Sequence, residues 1–134
     1  MKVETLKQFS VFLPNKPGAL SRLAKLFAEA GVNLLGIASE VRDDSGMVRV
    51  AVGPDKDVSA ILSKAGFASV ESKLLSVQVA DKPGELHRVA RALAEGGINI
   101  TTVYGTSLDG SSCRILIAAE NTDLAREVLE LIAG

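Results

Sequence analysis

The chain has 134 residues, a formal net charge of −1, 47% apolar residues, one cysteine and one histidine. That length and apolar content support a packed core, while the near-neutral balance lacks the basic footprint of a nucleic-acid-binding protein. One cysteine excludes an intrachain disulfide, and one cysteine with one histidine excludes the usual metal clusters, though not carboxylate sites; no metal is expected, and with no P-loop or dinucleotide fingerprint no cofactor is expected.

The opening MKVETLKQ contains no apolar signal segment, and no run approaches about eighteen apolar residues, so no membrane association and a cytoplasmic location are expected. Phe9, Val11 and Leu13 then alternate with other residues, as in a strand with one buried face. Asn15-Lys16-Pro17-Gly18 follows. Leu20, Leu23, Ala24, Phe27 and Ala28 recur at helical spacing, and Gly31 stands where a left-handed C-cap residue belongs. VNLLGIASEV reads as a second strand. RDDSG, with Asp43 and Asp44, reads as a hairpin turn, and Val48, Val50 and Val52 as a third strand. A second helix carries Val58, Ile61, Leu62 and Ala65, and FASVES reads as a fourth strand.

The pattern then starts again. Between Lys16 and Asn33, ten of eighteen positions are identical to Lys82 through Asn99, an offset of 66 residues. Such self-similarity marks a tandem duplication, with a joint near residues 71–74 and expected domains at 1–72 and 73–134. Leu75, Val77 and Val79 repeat the first strand. Leu86, Val89, Ala90, Leu93 and Ala94 repeat the helix, and Gly97 repeats its end. INITTVYGTS repeats the second strand and LDGSS the turn. For the third strand an offset of 66 would bury Arg114. An offset of 65 places Cys113, Ile115 and Ile117 against Val48, Val50 and Val52, with Arg114 matching Arg49 on the outer face and a hairpin one residue shorter. The last helix would bury Leu124, Val128, Leu131 and Ile132, and no final strand follows.

The expected fold is therefore α+β: two ferredoxin-like βαββαβ units in tandem, each a four-stranded antiparallel sheet covered on one face by two helices, the second lacking an evident last strand. Either another segment fills its open edge, residues 1–5 being one candidate, or the edge stays short. The bare sheet faces suggest packing between copies or between chains.

The chemistry concentrates at the repeated turn. Pro17 and Pro83 suit a first helical turn, and Gly18 and Gly84 leave the free backbone N–H groups there open to a guest such as a carboxylate. Asn15 and Asp81 stand just before, able to hold an ammonium group, and Asn33 and Asn99 would bring another amide as the chain returns. Together these describe a site for an α-amino acid. The same residues also serve as plain turn and capping residues.

NKPGALSRLAKLFAEAGVNL and DKPGELHRVARALAEGGINI resemble the opening of ACT domains, small-molecule regulatory modules of amino-acid metabolism. The resemblance spans both copies. It implies a ferredoxin-like fold, an amino-acid ligand held between paired domains, no catalytic activity, and candidate ligand-binding residues Asn15, Pro17, Gly18, Asn33 and Leu34 in one copy and Asp81, Pro83, Gly84, Asn99 and Ile100 in the other. In serine-sensing members the Asn before Pro-Gly and the Asn after the helix touch the effector. The histidine those members carry two places before the loop falls on Leu13 and Val79, so serine is not implied. The chain resembles stand-alone tandem ACT proteins, which form homodimers; the expected partners are an amino-acid ligand, a second copy and, as one option, a biosynthetic enzyme.

His87 falls off the apolar stripe and reads as a solvated helix residue, Cys113 as a small core residue. Tyr104 either lines a pocket or seam or stands exposed on the sheet. Arg22 and Arg88 read as helix-surface residues. The leading function is an amino-acid-binding regulatory protein. The alternative is a structural or dimerisation subunit of a biosynthetic enzyme that binds no ligand. RNA binding would need aromatics on the sheet, and an acylphosphatase-like enzyme would need an anion-cradling loop with Arg and Asn. MVRVAV, CRILIA and LPNKPG offer neither.

Overall fold

A computed structural model describes residues 1–42 and 45–133. The turn expected at Asp43–Asp44 lies outside the described residues. In chain order the elements are β1 (Lys2–Pro14), α1 (Ala19–Glu29), β2 (Leu34–Arg42), β3 (Ser45–Val52), α2 (Val58–Lys64), β4 (Ser69–Ala80), α3 (Glu85–Glu95), β5 (Ile100–Ser107), β6 (Ser112–Ala119) and α4 (Thr122–Ala133). The fold is α+β with antiparallel strands, two ferredoxin-like units in tandem. One compact unit is Lys7–Ser72; the other joins Met1–Leu6 to Lys73–Gly134.

In the Lys7–Ser72 unit β3 pairs antiparallel with β1 and β2, Val50 lying opposite both Phe9 and Ile37. Residues 68–72 run beside β1 as the fourth strand: Phe12 N–H donates to the Ala68 carbonyl at 3.0 Å and Gln8 Nε2 to Ser72 Oγ at 3.3 Å. Phe9, Val11, Val48, Val50, Leu23 and Phe27 anchor its core. In the other unit β6 pairs with β4 and β5. Here the start of β1 takes the fourth-strand place beside β4. Met1 and Val3 pack on the core built around Leu75, Val77, Val89, Leu93 and Leu129. Gln78 Nε2 donates to Glu4 Oε1 at 3.3 Å, and Arg126 Nη1 to Thr5 Oγ1 at 2.7 Å. The fourth strand of this unit is thus supplied by residues 1–6. Burial of Met1 and Val3 drives this, because a bare edge would leave both apolar residues and the backbone donors of β4 in water.

Three details differ from the sequence expectation. First, Val11 faces Val48 while Val77 faces Ile115, so the third strands match at an offset of 67, not 65. Val41 pairs with Gly46 and Ser107 with Cys113, which makes the second hairpin one residue longer rather than shorter. Cys113 therefore corresponds to Gly46, and Arg114 to Met47. Period two fixes only which face a residue takes, and 65 and 67 share that parity. Second, the buried helix stripes are rotated. Leu23 and Phe27 are buried in α1 and Val89 and Leu93 in α3, whereas Leu20 and Leu86 are more than half exposed. In α4 the buried residues are Ala125 and Leu129, and Leu131 is 85% exposed. A helix with more apolar residues than one face can hold offers two stripes, and packing chooses between them. Third, Pro17 and Pro83 precede the helices, which start after Gly18 and Gly84.

The helix ends follow local rules. Gly31 (φ 70°) and Gly97 (φ 72°) are left-handed. Val32 N–H bonds to Phe27 O at 2.9 Å and Gly31 N–H to Ala28 O at 3.2 Å, a paired closure repeated by Ile98 with Leu93 and by Gly97 with Ala94. Among the described residues no helix is long and apolar enough to cross a membrane.

Candidate functional site

Lys16-Pro17-Gly18-Ala19 forms a type II turn. Proline suits its second position, and Gly18 adopts φ 90°, ψ −13° at the third. The turn closes with Ala19 N–H on Lys16 O at 3.4 Å, and helix α1 begins with Arg22 N–H on Gly18 O at 3.0 Å. Gly84 repeats this at φ 95°, ψ −14°. A Cβ at either glycine would meet nothing within 4 Å, so the glycine is required by its backbone angle and not by crowding. Neither α1 nor α3 has a side-chain cap at its N-cap residue. The first N–H groups of both helices therefore lack that partner.

β1 ends where β2 ends and β3 begins, since Pro14 lies opposite Ser45, and Ser45 opposite Arg42. The Pro-Gly turn and the β2–β3 hairpin thus meet at one end of the Lys7–Ser72 unit. Between them is a recess of about 150 Å³, lined on the turn side by Asn15, Lys16, Ala19 and Leu20 and on the hairpin side by Glu40 and Met47 among others. Gly46 forms part of its wall, and a broader, open depression of about 520 Å³ continues past Phe12 and Ser45. Leu20, Val41 and Phe12 are half exposed around it. Glu40 contributes a carboxylate, 3.7 Å from the Arg49 guanidinium. Lys16 is in no ion pair among the described residues. Arg22 lies with its guanidinium 4.6 Å above the centre of the Phe67 ring.

Of the ten candidate ligand residues, Asn15, Pro17 and Gly18 stand together at this turn, and Asp81, Pro83 and Gly84 at its repeat. Asn33 and Leu34 do not join them. Leu34 pairs with Val52, which pairs with Lys7, so they stand at the opposite end of the strands, roughly 23 Å away at about 3.3 Å per residue. Asn99 and Ile100 are placed likewise. Asn99 Nδ2 donates to Glu120 Oε1 at 3.2 Å, and Glu120 N–H to Asn99 O at 3.1 Å. The return of the chain beside the turn, expected from the sequence, is not found within either unit, because a helix and a connecting loop bring the chain back to the start of β1 and not to its end. Glu40, Gly46, Met47 and Leu20 were missed. The βαββ order itself was the available signal, since it brings the β2–β3 hairpin to the end of β1.

At the repeated turn Glu85 accepts from Arg88 Nη2 at 2.8 Å and Nε at 3.1 Å, and lies 3.8 Å from Lys82 Nζ. The Arg88 hydrogen bond, with the Arg88 and Lys82 charges, holds its carboxyl below the usual range against the opposing effect of burial. Burial pushes the Cys113 thiol up, helped by the Asp81 and Glu85 charges. His87 is exposed, and Tyr104 and Cys113 are partly buried. Among the described residues no cluster of His, Cys, Asp or Glu could hold a metal ion.

The family model for an ACT domain pair matches residues 4–133. Among solved structures, protein BT0572 from Bacteroides thetaiotaomicron is 26% identical with a TM-score of 0.87, covering 98% of this chain and 90% of that one. The ligand-free regulatory subunit of aspartate kinase from Thermus thermophilus is 18% identical with a TM-score of 0.69, covering 98% and 96%. The corresponding subunit from Thermus flavus is 18% identical with a TM-score of 0.63, covering 100% and 98%. A search of curated proteins finds no match.

Proposed function

This chain belongs to the ACT domain pair family, and on that premise we propose that it is a non-catalytic regulatory protein that binds a free amino acid at the Pro17-Gly18 turn. The observation that carries this reading is the recess beside the turn. It has a cation without a carboxylate partner among the described residues (Lys16) on one side, Glu40 on another, and apolar walls between. Its volume equals about five waters at roughly 30 Å³ each, room for a small zwitterion. The ligand carboxylate would take Lys16 and the N–H groups at the start of α1, and its ammonium would face Glu40 and Asn15. Asn33 and Leu34 could join such a site only from outside their own unit. To act as a regulator, the ligand must bind one arrangement of the protein more tightly than another. The receiver would be a partner enzyme of amino-acid metabolism or a second copy of the chain.

The second reading is a structural subunit without a ligand. Half-exposed Phe12, Ile37 and Val41 favour it, since an apolar surface also suits a protein partner. Thermal unfolding against the twenty amino acids at millimolar concentration separates the two. A ligand of the folded state at a hundred times its Kd stabilises by about 2.7 kcal/mol. One or two selective hits, lost in Lys16→Ala, are expected. A flat panel would reject the amino-acid reading in favour of the structural one.

A further inference from the structure

The two turns are alike in backbone and unlike in what stands beside them. With the strand offset of 67 and the turn offset of 66, each residue of the first recess has a counterpart in the second copy. Glu40 becomes Thr106 and Met47 becomes Arg114, and two further exchanges add bulk. Ala19 becomes Glu85, and Gly46 becomes Cys113. Both replace a small side chain with a larger one. The Glu85 side chain is only 13% exposed and is held by Arg88 and Lys82. Cys113 lies opposite Val79, two residues before Asp81, and Asp81 N–H donates to Ser111 O at 3.0 Å, so the turn and the β5–β6 hairpin meet here too.

The cations differ as well. In the first copy Arg22 turns to Phe67, and Lys16 has no carboxylate partner among the described residues. In the second copy Arg88 turns to Glu85 instead. A carboxylate already occupies the second turn, and it is the protein's own.

The geometry points to a second site closed from within: Glu85 and Cys113 fill the Pro83-Gly84 turn site, and each chain takes one amino acid, at the Pro17-Gly18 turn, rather than two. This rests on the amino-acid reading above, but its closure can be tested without knowing the amino acid. The probe is sodium acetate, a bare carboxylate, with sodium chloride as the ionic-strength control. The readout is the backbone amide signals of Gly18 and Gly84 in ¹⁵N spectra of the full chain.

In the unaltered protein acetate should shift Gly18 progressively and leave Gly84 in place. Glu85→Ala, alone and with Cys113→Ala, should make Gly84 respond as well. Ala19→Glu with Gly46→Cys should silence Gly18. Equal response of both glycines in the unaltered protein would overturn the proposal, as would a silent Gly84 in folded Glu85→Ala and in the double variant. If Gly84 opens in Glu85→Ala while no amino acid perturbs Gly18, the closure stands and the amino-acid reading falls.

Discussion

Replacing Leu6 with alanine tests the supply of the fourth strand by residues 1–6. Leu6 sits in MKVETLKQ, a stretch that carries no apolar periodicity, and a surface residue there would tolerate the change within about 0.5 kcal/mol. In the structure Leu6 is 6% exposed, in the compact unit made with residues 73–134. Losing its buried branch forfeits about 2 kcal/mol of transfer free energy. The cavity left behind raises the total to roughly 3 kcal/mol, inside the 2–5 kcal/mol span of such truncations. With a urea dependence of about 2 kcal/mol per molar, the unfolding midpoint should fall by about 1.5 M. Urea unfolding followed by far-ultraviolet circular dichroism measures this, and amide exchange along β4 should accelerate in parallel. Val3→Ala, at a half-buried position, should cost about 1 kcal/mol. A Leu6→Ala midpoint within 0.25 M of the parent, about 0.5 kcal/mol by the same slope, would refute the strand's place.

Helix α4 offers a paired test of its packing face: Leu129→Ala, at a fully buried side chain, should cost about 2–4 kcal/mol, and Leu131→Ala, at 85% exposure, under about 0.5 kcal/mol by urea titration. Gly97→Ala should cost about 1–2 kcal/mol from its φ of 72° alone, since a Cβ there meets nothing within 4 Å; D-alanine introduced by semisynthesis should restore the midpoint. Asp109 accepts from the backbone and side-chain donors of Ser111 and Ser112, and those bonds, the Ser111 backbone bond foremost, lower its carboxyl. Its stabilisation is therefore present above the ordinary carboxylate value of 3.8 and lost as pH falls through the lowered one. Unfolding midpoints between pH 6 and pH 2 should drop less in Asp109→Asn than in the parent, and equal drops would remove Asp109 from the hairpin's acid sensitivity.

Much of the fold was legible because the duplication repeats its own punctuation. Gly31 and Gly97 mark helix ends through a backbone angle that few other residues adopt, and alternation along Phe9, Val11 and Leu13 fixes a buried face. Alternation could not count residues around a hairpin, so the match of Cys113 to Val48 gave way to Gly46. Apolar content alone could not choose between the Leu124–Leu131 stripe and the Ala125–Leu129 stripe, because each repeats at helical spacing. The site was half visible. Pro-Gly announces a turn and an uncapped helix start, both local properties. Glu40, Gly46 and Met47 join it only through strand register, and the distance of Asn33 follows from the direction of β2.

The central claim is that a free amino acid occupies the Pro17-Gly18 turn. Equilibrium dialysis of the protein against an equimolar mixture of the twenty amino acids, with the retained pool quantified by amino-acid analysis, tests it most directly. The account predicts enrichment of one or two amino acids on the protein side, abolished by Ala19→Glu. Identical composition on both sides of the membrane, with the protein folded and at millimolar amino acid, would contradict it.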